Sequence, residues 1–183
     1  GQFVKASQSY NQSLALLRDL GDRPRQAIVW NNLGEVSRET GQLQAASEAF
    51  NLALSLHREA KNFAGEAAAL NNLGLVDQAK RQFQAALEHF NQALPILRQL
   101  GDRVSEAKTL SNIGGVYDDL GQSRSALEFF NQALPILQDV GDREGEATTL
   151  SSIAAVYRTI NQPDQAITYW EQSSLTVGTG CLL

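Results

Sequence analysis

Along this chain the apolar positions mark one face of a helix, then one face of a second helix, and the pair repeats. In the stretch from Arg103, Leu110, Ile113, Gly114 and Tyr117 are spaced i, i+3, i+4, i+7. In the stretch from Ser123, Ala126 precedes Phe130 by one helical turn. A shift of 40 residues superimposes Gly21-Asp22-Arg23, Gly101-Asp102-Arg103 and Gly141-Asp142-Arg143, with Lys61-Asn62 in the fourth place. The segment Phe-Asn-Gln-Ala-Leu-Pro-Ile-Leu recurs unchanged at 90–97 and 130–137. The first-helix pattern returns as Trp30, Leu33, Gly34, Ser37, as Leu70, Leu73, Gly74, Asp77, and as Leu150, Ile153, Ala154, Tyr157. The second-helix pairs are Ala6/Tyr10, Ala46/Phe50, Ala86/Phe90 and Ala166/Trp170. A unit of this size cannot bury its apolar face alone, so the pattern predicts a stacked solenoid with these aromatics in its core.

The register divides the chain into a half repeat at 1–20, full repeats at 21–60, 61–100, 101–140 and 141–177, and a flexible tail at 178–183, all one array. Asp22, Asp102 and Asp142 stand where an N-cap carboxylate accepts from first-turn N–H groups, and Glu66, Glu106 and Glu146 follow where the helix dipole favours negative charge. Pro95 and Pro135 lie inside second helices, where each lacks an N–H and crowds the carbonyl four residues back, so bends are expected there. Ala79-Lys80-Arg81 replaces the expected turn glycine, which predicts the least regular turn, with one continuous helix through 77–83 as the alternative. The last helix is expected to degrade after Trp170, leaving Ile167, Tyr169 and Trp170 at an open end suited to end-to-end self-association.

Composition agrees with an all-helical class: 43% apolar residues, only 4 prolines in 183, and long runs of Ala, Leu, Gln and Glu. The net charge is −5 and Lys/Arg nowhere cluster, which argues against nucleic acid. No apolar run reaches the ~20 residues needed to span a bilayer, so no membrane role is expected. Cys181 has no partner for a disulfide and no neighbouring base, and reads as an incidental thiol. His57 and His89 lack metal-ligand spacing, and no phosphate loop, nucleophile elbow or Cys/His arrangement occurs. No catalytic residues, metal or cofactor are therefore expected. The absence of methionine and a start in mid-pattern read as a fragment of a longer, cytoplasmic protein.

The pattern W-x2-L-G-x2-Y followed by A-x3-F resembles the tetratricopeptide repeat, whose usual period is about 34. The longer spacing, Asn-Asn-Leu-Gly at 31–34 and 71–74, and the Gly-Asp-Arg connector resemble a subclass seen in kinesin light chain, spindle-orientation adaptors and bacterial arrays fused to caspase-like proteases or signalling ATPases. The resemblance covers residues 1–177. The fold it implies is an all-α, right-handed superhelical solenoid of antiparallel helix pairs.

Polar residues recur in mid-helix on the first helices: Asn31-Asn32, Asn71-Asn72, Ser111-Asn112 and Ser151-Ser152. Asn and Ser are poorer helix formers than Ala by roughly 0.5 kcal/mol, so their repeated use needs a reason. One is an inter-repeat ladder that fixes the stacking. The other is capture of an extended peptide, whose backbone the amides can both donate to and accept from. The resemblance implies the second, because in kinesin light chain and adaptor arrays the matching asparagines hold a peptide; it carries over to Asn31, Asn32, Asn71, Asn72, Asn112 and Ser152, and Ser111 is a candidate by its register. One turn further on, Glu35, Arg38, Gln78, Asp118 and Arg158 would set ligand preference. The expected function is a protein-interaction module for a protein or peptide ligand. A sensor array in a multidomain signalling enzyme and a self-associating spacer are the alternatives.

Overall fold

The computed structural model describes residues 2–178, with side chains at 3–176. Over these residues the chain is all α: α1 (Gln2–Asp19), α2 (Arg23–Glu39), α3 (Leu43–Glu59), α4 (Phe63–Ala79), α5 (Phe83–Leu100), α6 (Arg103–Asp119), α7 (Ser123–Val140), α8 (Arg143–Thr159) and α9 (Pro163–Gly178). Within each unit successive helices stack antiparallel. The chain groups into two compact units, Gly1–Ile96 and Leu97–Leu183, and each is described by itself.

Helix starts follow from the caps. Asp22 accepts from the Arg25 N–H at 3.1 Å, Asn62 from Gly65 at 3.0 Å, Asp102 from Ser105 at 3.0 Å and Asp142 from Gly145 at 2.9 Å. The first-turn glutamates are clamped by the last turn of the preceding second helix. Arg58 Nε donates to Glu66 at 2.7 Å, Arg98 Nε to Glu106 at 2.9 Å, and Gln138 Nε2 to Glu146 at 3.0 Å. Arg103 and Arg143 close on Glu106 and Glu146 from within the same turn. Both glutamates are buried, so these contacts replace the water that the carboxylates lose.

In the first unit Phe50 and Phe90 are fully buried beneath Gly34 and Gly74; a Cβ there would come within 2.6 and 2.5 Å of the rings. In the second unit Gly114 gives Phe130 the same room, and Phe130, Ala126, Ile153 and Val156 form the core with Tyr117, Tyr157 and Tyr169 packed on it. Trp170 departs from its expected core place and is 39% exposed. No described helix follows α9 to cover it, as α8 covers Phe130 through Ile153 and Val156.

Two further expectations are corrected. The turn after α4 is as regular as its counterparts: Arg81 N–H donates to Gln78 O and Gln82 N–H to Asp77 O, both at 2.8 Å, as Gly121 and Gln122 do to Asp118 and Tyr117. Arg81 adopts φ +60°, doing what glycine does elsewhere, so the continuous helix does not form. Second, α9 does not degrade after Trp170. Ser174 and Thr176 hydroxyls donate to carbonyls four residues back, and buried Ser173 donates to Ala147 O at 2.9 Å, so polar residues there pack instead of fraying. α5 and α7 run on through Pro95 and Pro135 as continuous helices. The tail from 179, with Cys181, lies outside the described residues.

Candidate functional site

In the first unit α2 and α4 lie side by side, and their polar positions meet. Asn31 Nδ2 donates to Glu35 Oε1 at 3.4 Å, while Asn72 Nδ2 reaches across to Asn31 Oδ1 at 3.2 Å and Glu35 Oε1 at 3.4 Å. Asn71 and Gln78, both half-buried, are engaged as well. Asn32 is different: half-buried, its amide has no hydrogen-bond partner among the described residues. Arg38 is half-buried in the last turn of α2, with its Nε shut off from solvent and unpartnered.

In the second unit Ser111 Oγ lies 3.1 Å from Thr149 Oγ1, joining α6 to α8, and Ser151 Oγ lies 2.9 Å from Ser173 Oγ, joining α8 to α9. Asn112 is the counterpart of Asn32, half-buried and without a hydrogen-bond partner among the described residues. It opens onto a cleft of about 280 Å³ between α6 and α8, lined also by Lys108, Ser111, Asp142, Glu144 and Thr148. Lys108 Nζ stands 3.5 Å from the capping carboxylate of Asp142. Ser152 turns back to its own helix and donates to Thr148 O at 3.0 Å. Asp118 is half-buried, and burial, helped by neighbouring Asp119, pushes its carboxyl above the usual range. Arg158 is exposed and covers the Trp170 ring at 5.8 Å.

The polar positions thus differ in whether they are engaged. Asn31, Asn72 and Ser111 make cross-helix contacts, whereas Asn32 and Asn112 keep donor and acceptor groups unused. Sequence reasoning missed the partner Thr149, and it missed a pair inside the second full repeat. Buried Asp77 accepts or shares a proton with His89 Nδ1 at 2.8 Å. The same two places hold the stacked rings Tyr117/Phe129 at 5.3 Å and Tyr157/Tyr169 at 5.4 Å. The signal was available: in the 40-residue register, Asp77 and His89 depart from the aromatics together.

No group of three or more His, Cys, Asp or Glu able to hold a metal occurs among the described residues, and no helix there is long and apolar enough to cross a membrane. What the faces offer is hydrogen bonding and charge on fixed helices, the chemistry of recognition.

A fold of this kind defines a helical repeat protein. The tetratricopeptide repeat model matches residues 1–59 and 65–139, and the chain belongs to that family. No curated protein matches the sequence. Among solved structures it is similar to BtubC (BKLC) from P. vanneervenii, at 21% identity and TM-score 0.89, over 100% of this chain and 76% of that one. It is similar to TPR-like repeats from Podosopora anserina assigned to a kinesin light chain, at 19% identity and TM-score 0.77, over 100% and 90%. It also matches a Rap protein complexed with Competence and Sporulation Factor, at 18% identity and TM-score 0.86, over 97% of this chain but 50% of that one. At these identities the likeness is one of fold.

Proposed function

We propose that the chain is a protein-interaction module that takes an extended partner segment along the first-helix faces, α2 with α4 in one unit and α6 with α8 in the other. The observation that carries this reading is the pair of idle amides, Asn32 and Asn112, at one register position in mid-helix, flanked by residues that are already braced. A braced frame with free donor and acceptor groups is preorganised, so a partner meets little ordering cost on this side. The Rap protein complexed with Competence and Sporulation Factor supports the reading by analogy of fold. The remaining candidates at these faces, Glu35, Arg38, Gln78, Asp118, Ser152 and Arg158, would tune which segment is preferred. A cytoplasmic setting suits a chain whose one cysteine can form no internal disulfide.

Selection of displayed random dodecapeptides on the immobilised chain supplies the test. Enriched peptides are expected, and the double substitution Asn32→Ala, Asn112→Ala should weaken them about tenfold with the thermal midpoint unchanged. Undiminished affinity in a folded double variant would sink the reading.

A second reading has its own observation. On α9, Ile167, Trp170 and Leu175 are 51%, 39% and 68% exposed, and a patch of that kind favours self-association. Light scattering at rising concentration decides it: growth abolished by Trp170→Glu supports association, and a constant monomer mass rejects it.

A further inference from the structure

Two tyrosines of the second unit lie ring on ring. Tyr157 stands on α8 and Tyr169 on α9, their centroids 5.4 Å apart and their planes 15° from parallel. Both are half-buried and rest on the core of Phe130, Ile153 and Val156, which holds the two helices in place. One repeat earlier Tyr117 and Phe129 stack almost identically, at 5.3 Å and 13°. The stack therefore does not need a second hydroxyl, yet Tyr169 supplies one. Neither hydroxyl of the Tyr157–Tyr169 pair has a hydrogen-bond partner among the described residues, and neither is shut off from solvent. Burial raises the Tyr169 phenol pKa above its ordinary value, and the Tyr157 phenol beside it adds to the rise, so the two oxygens feel one another.

A phenol open to water can lose an electron and a proton to a one-electron oxidant. The phenoxyl radical left behind shares its unpaired electron with the ring carbons ortho to oxygen. We propose that Tyr157 and Tyr169 form an oxidative cross-linking site, at which a one-electron oxidant joins the two rings and staples α8 to α9. Each phenol gives up one electron and one proton, and a carbon–carbon bond forms between the two ortho carbons. The hydrogen that each of these carbons carried then moves to its oxygen, which restores both phenols. With hydrogen peroxide as terminal oxidant, the peroxide takes both electrons and both protons and leaves as two waters. Proximity favours this pair, because rings held in contact replace a bimolecular encounter by a unimolecular one. Tyr117 meets the same oxidant but faces a phenylalanine, so its stack offers no second phenol. The site does not depend on the peptide-binding reading.

Treatment of the dilute, purified chain with a haem peroxidase and limiting hydrogen peroxide tests the site. Trypsin cleaves after Arg158, so the two tyrosines fall in different peptides and a link between them is read by mass spectrometry. The expected result is a monomer with dityrosine fluorescence, whose linked peptides together are lighter by two hydrogens. The yield should fall about tenfold in urea, where the stack is lost. Tyr157→Phe and Tyr169→Phe keep both rings and should each abolish the monomer's fluorescence, whereas Tyr117→Phe should leave it unchanged. Phe129→Tyr should add a second link, to Tyr117. Circular-dichroism melting establishes that the variants fold. Four results would overturn the site: links only between molecules, an equal yield in urea, fluorescence that survives Tyr157→Phe, or oxygen added at neighbouring Trp170 with no link. A folded Phe129→Tyr chain that gains no second link would count against stacking as the cause.

Discussion

Leu17, Leu97 and Leu137 share one place in the repeat, and His57 occupies it in α3. The imidazole is 5% exposed and lies against Gly65, whose missing Cβ would sit 2.3 Å from the ring. Burial holds its pKa below the ordinary 6.5, while the Glu66 carboxylate pulls weakly the other way. A depressed histidine pKa means that, as pH falls through about 6.5, the unfolded chain takes up a proton before the folded one. Stability is therefore complete above that range and declines below it, levelling only where the folded protein titrates too. Urea unfolding at about pH 7.5 and 5.5 should show a lower midpoint in acid for wild type and a smaller drop for His57→Leu; equal drops would contradict the account. At this scale the sequence was legible where one residue type had one job. Leu110, Ile113, Gly114 and the capping aspartates stand where their spacing put them. His57, the Asp77–His89 pair and the Arg98–Glu106 clamp were not legible as partnerships. Each joins two helices, and their relative rotation is set by packing and not by the spacing along either one.

At the scale of the element, the turns show how the array absorbs sequence change. Gly21, Gly41, Gly101, Gly121 and Gly141 take φ between +66° and +75°, and Lys61, Arg81 and Asn161 adopt the same left-handed region without being glycine. Hydrogen bonds from the two flanking helices fix the conformation so firmly that the side chain is forced to follow; this is why Ala79-Lys80-Arg81 looked irregular in sequence and is regular in space. A non-glycine residue pays for that with about 1 kcal/mol of steric strain. Lys61→Gly should accordingly raise unfolding stability by about 1 kcal/mol, less whatever glycine adds to the freedom of the unfolded chain. A denaturant midpoint that stays put or falls would show that the turn is not strained. The same logic explains α9. Its end after Trp170 is expected from sequence to degrade, yet Ser173 finds Ala147 O and Ser151, partners that no local pattern reveals.

For the molecule as a whole, each unit separates scaffolding from the faces proposed for recognition. Glycine–phenylalanine contacts, caps and Arg–Glu clamps hold the helices, and cross-helix polar contacts hold the first-helix faces. Among the described residues, the groups on these faces without a hydrogen-bond partner include the amides of Asn32 and Asn112 and the Nε of Arg38. The sequence showed which register positions to inspect, but not which of them were already occupied, because occupancy depends on a neighbour 37 to 41 residues away, as with Asn72 and its two acceptors. The central claim is that a partner lies on the first helices. Photo-crosslinking with an enriched dodecapeptide carrying a benzophenone, followed by peptide mapping, measures this most directly. The account predicts adducts on α2 and α4 or on α6 and α8, near Asn32 or Asn112. Adducts confined to α3, α5, α7 and α9 would contradict it.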